Sequence, residues 1–262
     1  MRKKSRLIIS GLLIAAFLTS GGFMFQQAII CKALVRSYEI LKPVEVPEED
    51  ITPQWMLTLV NTQQPLSAEL DFPKDTINGY TFDARAIDDL RSMLEAAKDD
   101  GINLLICSAY RSVAKQTELF ERKVKQYQNA GYSYEDAYNI AKTIVAIPGT
   151  SEHHTGLAAD IITVDYQVLD EGFANTSAYQ WLKENCTKYG FIMRYPKEKQ
   201  DITGIIYEPW HYRYVGKNAA EVISANDWCL EEYIEQLKSE QEEKAAVQTP
   251  KITSLIQYNS NK

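Results

Sequence analysis

All three histidines of this 262-residue chain fall in two short segments, Ser151-Glu-His-His-Thr-Gly-Leu-Ala-Ala-Asp160 and Glu208-Pro-Trp-His211. Both segments carry carboxylates, and they lie far apart in the chain. If these side chains act together, the fold has to bring two distant stretches to one place. Imidazole and carboxylate at such spacing suit a catalytic zinc site, which takes three protein ligands and leaves a position open for water. In the first segment a histidine precedes Asp160 by six or seven residues with a glycine turn between them. The second segment places Glu208 and His211 three residues apart. One of His153 and His154 is surplus to a three-ligand set. There is no HExxH helix, so the site must be assembled from separate segments.

The composition, 45% hydrophobic and 24% charged, belongs to a globular protein and excludes a disordered or fibrous one. A formal net charge of −7 argues against a general nucleic-acid binder, which would carry a basic patch or a high pI. The four cysteines, at 31, 107, 186 and 229, form no CxxC pair, which sets aside a cysteine zinc site. Cys107 ends the apolar run Ile102-Asn-Leu-Leu-Ile-Cys and reads as a small buried hydrophobe. A bond between Cys186 and Cys229 is open to a chain outside the cytosol, and the sequence does not establish it.

Residues 2–6 read Arg-Lys-Lys-Ser-Arg, and Leu7 to Phe25 carry no charge. A basic flank before a long uncharged, mostly apolar run fits a secretory signal or a single spanning helix. The basic flank stays inside, so everything after it is expected outside the cytoplasm. Thr19-Ser-Gly-Gly offers small residues for cleavage, which would release a secreted protein. Apolar character continues through Phe23-Met-Phe and Ala28-Ile-Ile, however, which favours an uncleaved membrane anchor. Bulky Ile30 before Cys31 speaks against lipid attachment there. Residues 1–31 are thus expected to be leader and anchor. Residues 32–54, with Lys42-Pro-Val-Glu-Val-Pro, are expected to be a stalk.

Trp55-Met-Leu-Thr-Leu-Val is expected to open the folded part as a strand. Apolar spacing predicts a helix from Asp83, as N-cap, to Ala97. A short buried strand follows over 102–107, then helices over 113–128 and 134–145. Strands are expected at 156–164, 191–195 and 205–215, and a helix over 177–189 that Gly190 ends. Helices at 217–225 and 228–237, the second capped by Asp227, close a domain spanning 55–237. The polar tail 238–262 lacks a core pattern and is expected to be disordered. Helices and strands mix without strict alternation, which favours an α+β fold over a doubly wound sheet. Ser112-Val-Ala-Lys115 matches the SxxK of serine penicillin-binding enzymes. That chemistry also uses a KTG element, which is absent, so the serine-type reading is rejected and Ser112 reads as a helix N-cap.

Three motifs in order, Ser108-Ala-Tyr-Arg-Ser112, Ser151 to Asp160, and Glu208-Pro-Trp-His-Tyr-Arg-Tyr-Val-Gly216, closely resemble the VanY-type D-alanyl-D-alanine carboxypeptidases. These belong to the zinc DD- and LD-carboxypeptidase family of the bacterial cell wall. The similarity runs from about Trp55 to Leu237 and includes Tyr195-Pro-Lys and Ile202-Thr-Gly. It implies a small antiparallel sheet flanked by helices, of the D-Ala-D-Ala carboxypeptidase and hedgehog-like kind. It also implies His153, Asp160 and His211 as Zn2+ ligands, Glu208 as general base and Arg111 in the substrate site. By the same resemblance Ser151 contacts the substrate's terminal carboxylate; Gln116, on the helix after Arg111, is a further candidate for that pocket. Many relatives carry Gln where this chain has His154, which leaves the ligand set intact and places His154 along the cleft.

The implied activity is zinc-dependent release of the C-terminal D-alanine from peptidoglycan stem peptides. Glu208 would take a proton from water and return it to the departing amine, with Arg111 facing the oxyanion. Alternatives on the same scaffold are an LD-carboxypeptidase or a muramyl-peptide endopeptidase. From another class comes a non-catalytic zinc-containing wall-binding domain. Glu208 and Arg111 count against that last reading, because a structural zinc site is closed by four ligands and needs no base.

Overall fold

The structure is a computed structural model that describes residues 52–260, with side chains described as far as residue 246. The expected leader, anchor and most of the stalk lie outside the described residues. No helix among the described residues is long and apolar enough to cross a membrane.

The first strands form a hairpin, with β1 at Lys74–Ile77 and β2 at Tyr80–Asp83. Its turn, Asn78-Gly79, has φ of 52° and 84°. Positive φ at both central residues matches the right-handed twist of the flanking strands, and Asn-Gly is the pair that tolerates it best. Helix α1, Ile87–Asp99, buries Ile87, Leu90, Met93 and Ala97, the spacing of one helical face. Strand β3, Leu104–Ser108, follows. Helices α2, Val113–Asn129, and α3, Tyr134–Ile144, form a pair packed through Phe120, Val124, Ala137 and Ala141. Each begins at a serine cap: Ser112 accepts from the Lys115 N–H, and Ser133 from that of Asp136.

Strand β4, Ala158–Thr163, is buried along its whole length. It therefore reads as a continuous apolar run broken only by Asp160 and Thr163, rather than as an alternation. Helix α4, Ser177–Asn185, continues into a 3-10 turn that Gly190 ends with φ of 80°. Strand β5, Phe191–Met193, a single helical turn α5, Gln200–Thr203, and strand β6, His211–Tyr214, lead to α6, Lys217–Ala225, and α7, Leu230–Ser260. The second sheet runs β3-β4-β6-β5, antiparallel at every step. Its core packs Phe82, Leu90, Met93, Ile161, Leu182 and Phe191 against α1 and α4. The small antiparallel sheet flanked by helices is the architecture that the family resemblance implies, and it agrees with the α+β reading of the chain.

Several local expectations are corrected. Residues 54–57 form a 3-10 turn, not a strand, and the Met56 and Thr58 carbonyls accept from the Arg213 guanidinium instead of a sheet partner. Asp83 does not cap α1; it ends β2, and its carboxylate holds the backbone N–H and guanidinium of Arg85. The strand expected over 205–215 shrinks to His211–Tyr214. Asp227 has φ of 53° and is no cap; the Glu232 carboxylate takes the Cys229 N–H just before α7. That helix continues past Lys238; residues 238–246 are mostly exposed, and their Glu-, Gln-, Lys- and Ala-rich composition favours a helix that has little to bury. Cys186 and Cys229 are free thiols.

Gly156 turns the chain between His153 and Asp160 at φ of 71°. A Cβ there would stand 2.4 Å from the Phe72 ring. Gly156→Ala is therefore expected to destabilise the domain by about 1–3 kcal/mol, read as a lower urea midpoint in the presence of chelator. An unchanged midpoint would contradict the strained-turn account.

Candidate metal centre

The site forms where two loops are stitched together by backbone groups. The 3-10 turn Glu152–Thr155 lies against residues 109–111: the Arg111 N–H donates to the His153 carbonyl at 3.1 Å. The His153 Nδ1 in turn lies 2.6 Å from the Ala109 carbonyl. A carbonyl can only accept, so Nδ1 carries the proton and Nε2 keeps its lone pair. That Nε2 is buried, has no hydrogen-bond partner and sits 3.3 Å from Asp160 Oδ2.

Asp160 and His211 come from neighbouring strands, directly opposite one another in the β4–β6 ladder. His211 Nδ1 lies 3.0 Å from Asp160 Oδ1 and 3.7 Å from Glu208 Oε2. The rings of His153 and His211 meet edge to face at 4.9 Å. One donor atom from each of His153, Asp160 and His211 falls within a 4.8 Å span. Two imidazoles and a carboxylate with an orphaned, inward-facing nitrogen fit a zinc ion held by three protein ligands.

The charges around the set are in tension. Burial, with Arg111 nearby, pushes the His153 imidazole down to about 4, so it stays neutral as a ligand must. At His211 burial acts in the same direction, but Asp160, Glu152 and Glu208 outweigh it and hold the ring up at about 9. Burial lifts the Glu208 carboxyl to about 8, and the Asp160 charge adds to that lift. Without a cation, the pocket thus keeps protons on two groups that a metal would displace.

The other expected site residues line the same cleft: Arg111, Gln116 and Ser151, with Trp210 and Tyr195. Arg111 Nη2 is 3.9 Å from Asp160 Oδ2, and its side chain is 20% exposed. Gln116 is buried and donates through Nε2 to the Ala146 carbonyl at 2.6 Å, leaving Oε1 without a partner. Tyr212 points into the core rather than the cleft. The expectation that His154 lines the cleft is corrected. Its Nε2 accepts from the Gly149 N–H at 3.2 Å and its Nδ1 donates to the Arg111 carbonyl at 2.7 Å. Both ring nitrogens are spent on backbone, so His154 braces the loop that carries Arg111.

Beneath the ligands lies an ion cluster that the motifs alone do not single out. Glu152, Arg194 and Arg213 are buried almost completely, at 1%, 1% and 0% exposure. Glu152 Oε1 accepts from Arg194 Nε at 2.7 Å and from Arg213 Nη1 at 2.8 Å. Arg194 directly follows β5 in the apolar and aromatic run Phe191-Ile-Met-Arg-Tyr, and Arg213 lies in β6 between Tyr212 and Tyr214. A lone guanidinium in such a run was the available signal.

Comparison with known proteins agrees with this geometry. A family model described as VanY: D-alanyl-D-alanine carboxypeptidase matches residues 80–217, just over half of the chain. A D-alanyl-D-alanine carboxypeptidase of Enterococcus faecalis is 43% identical over 184 residues. That match covers 69% of this chain and 66% of the relative, so the chain spans just under two thirds of that protein's length. The crystal structure of a vancomycin-resistance D,D-pentapeptidase VanY variant with Zn(II) is similar at a TM-score of 0.63 and 42% identity. It covers 69% of this chain and 99% of that one. The LdcB LD-carboxypeptidase, described with its peptidoglycan recognition, follows at 0.58 and 38% identity, covering 73% of this chain and 94% of that one.

Zinc uptake at pH 7 is expected to release protons. His211, held near 9 without metal, must lose one to become a ligand, and Glu208, held near 8, gives up a second as a cation arrives. His153 contributes none, being neutral already. Calorimetry in buffers of different ionisation enthalpy counts these protons, and metal affinity should fall as pH is lowered from 9. Uptake without proton release would refute the charge assignment.

Proposed function

The chain belongs to the VanY family of D-alanyl-D-alanine carboxypeptidases, and from that premise we propose that it is a zinc-dependent enzyme removing the C-terminal D-alanine from peptidoglycan stem peptides. The observation that carries this reading is the buried His153, Asp160 and His211 set with the Glu208 carboxylate 3.7 Å from a ligand nitrogen. Three ligands plus an adjacent carboxylate describe a hydrolytic centre rather than a closed structural one.

His153, Asp160 and His211 would hold the zinc. When bound, zinc supplies Lewis acidity, polarising a carbonyl and lowering the pKa of water toward about 7. Glu208 takes the proton of the attacking water and returns it to the departing amine. Its burial favours a carboxyl that gives up and regains a proton near neutrality, once positive charge beside it offsets the lift to about 8. Arg111 lines the same cleft and presents fixed donors to the developing oxyanion. Ser151, also at the cleft wall, is assigned to the substrate's free carboxylate. Gln116 shares that role through the amide proton not committed to Ala146.

The domain is assigned to the extracytoplasmic side, tethered to the membrane by its N-terminal segment. Support comes from basic residues 2–6 and the uncharged stretch behind them. A second reading, an LD-carboxypeptidase, is favoured by the 38% identity to LdcB, since the two activities share a metal centre and differ in what the cleft accepts.

Glu208→Gln is expected to retain zinc while lowering kcat about a hundredfold to ten-thousandfold; near-normal turnover would remove Glu208 as the base. Digestion of pentapeptide and tetrapeptide stems, with the released residue identified by mass, separates the two readings. The pentapeptide should lose D-alanine and the tetrapeptide should persist, and chelator should stop the reaction. Zinc binding with no turnover of either stem would leave a wall-binding domain.

A further inference from the structure

Two buried polar atoms face each other beneath the metal ligands with no other partner: His211 Nε2 and Glu152 Oε2, 3.6 Å apart. That separation exceeds an ordinary hydrogen bond. Both atoms are nonetheless desolvated, and each is the group the other lacks. Glu152 has no freedom to turn away. Its second oxygen is held by Arg194 Nε at 2.7 Å and Arg213 Nη1 at 2.8 Å, which leaves Oε2 directed at the imidazole.

The two arginines are anchored in their turn. Arg194 forms a fork to Glu231 at the start of α7, with Nη1 to Oε2 at 2.8 Å and Nη2 to Oε1 at 2.6 Å. Arg213 Nη2 donates to the Met56 and Thr58 carbonyls at 2.9 Å each, and its Nε to the Tyr214 carbonyl. Two carboxylates and two guanidinium groups balance in charge, which is the condition for keeping such groups in the interior. Met56, Thr58 and Glu231 all lie outside the stretch 80–217 that carries the family match.

We propose that Glu152 is a positioning residue for the metal: it holds His211 as the Nε2–H tautomer, so that Nδ1 offers its lone pair beside Asp160 and His153. A ligating histidine whose other ring N–H meets a carboxylate is fixed in orientation and becomes a stronger donor. Without that carboxylate the ring is free to carry its proton on Nδ1, 3.0 Å from Asp160 Oδ1, where it would oppose a cation. The order Glu231, Arg194, Glu152, His211 makes the first turn of α7 part of the metal site's support. The inference rests on the zinc reading above and adds to it which nitrogen binds and what selects that nitrogen.

The test uses the full chain and never relies on hydrolysis. In zinc-loaded, 15N-histidine-labelled protein, His211 should show a protonated Nε2 and a metal-bound Nδ1. Binding through Nε2 would overturn the assignment while leaving the zinc reading intact, whereas failure of the wild type to bind zinc would end that reading itself. In Glu152→Gln, chelator competition should show zinc held 10- to 100-fold more weakly, with metal-free circular dichroism unchanged. A folded Glu152→Gln protein with wild-type zinc affinity overturns the proposal. Should that variant not fold, Glu231→Gln, which leaves Glu152 paired to both arginines, carries the comparison. It is expected to weaken zinc severalfold in the same direction, and unchanged affinity would count against the coupling through Arg194.

Discussion

Asp160 stands opposite His211 on one side of β4 and opposite Ser108 on the other, and the site depends on that single row of the sheet. Side chains alternate faces along a strand, so a one-residue slip would turn Asp160 away from His211 and dismantle the ligand set. The same row explains why the recognisable motifs are three and why they are spaced so far apart. Ser108 ends β3 and launches the loop that carries Arg111. Asp160 is the third residue of β4, in the turn-and-strand segment that begins at Ser151. His211 opens β6 three residues after Glu208. Segments remote in the chain become neighbours because antiparallel pairing places their ends side by side. The shift in register between Ile106 and Ser108 lets β3 leave the ladder where its chain must turn toward the cleft.

The ligands themselves are electrostatically unfinished. His211 is held toward its charged form by three carboxylates, while Glu208 is held toward its neutral form by burial and by Asp160. A divalent cation resolves both at once, since it takes the place of the imidazolium proton and favours the ionised Glu208. His153 needs no such adjustment, because the Ala109 carbonyl already settles which nitrogen carries the proton. The two histidines thus reach the metal by different routes, one oriented by a backbone carbonyl and the other facing a buried carboxylate.

Residues whose type is dictated by chemistry can be read from the sequence. Histidines and carboxylates in short segments announce a metal set, and Ser112 and Ser133 announce helix starts, because both signals are local. The misread elements are those decided by distant partners. Trp55 to Val60 is an apolar run that reads as a strand, yet Arg213 claims the Met56 and Thr58 carbonyls, and nothing near residue 55 predicts that. Asp83 has the spacing of a cap, but Arg85 and the end of β2 use it first. His154 looks like a cleft residue until the Gly149 and Arg111 backbone groups consume both its nitrogens. The β1–β2 hairpin carries a local signal, Asn78-Gly79 between β-forming residues.

A buried ion cluster such as Glu152 with Arg194 and Arg213 is a poor way to gain stability, because desolvation cancels much of the Coulomb attraction and apolar residues of similar volume often do as well. What apolar residues would not provide is a carboxylate held immobile against an imidazole. The cluster also draws on residues outside the stretch that carries the family match. A segment cut to 80–217 would keep Arg194 and Arg213 on Glu152 but lose Glu231 and the Met56 and Thr58 carbonyls, leaving two guanidinium groups to share one carboxylate. Unpaired charge in the interior costs far more than the pair contributes, so such a fragment would be strained at the residues that underlie His211. The hydrogen-bonded support beneath His211 therefore reaches from the 3-10 turn at Gln54–Leu57 to the first turn of α7, beyond the extent of the recognisable motifs.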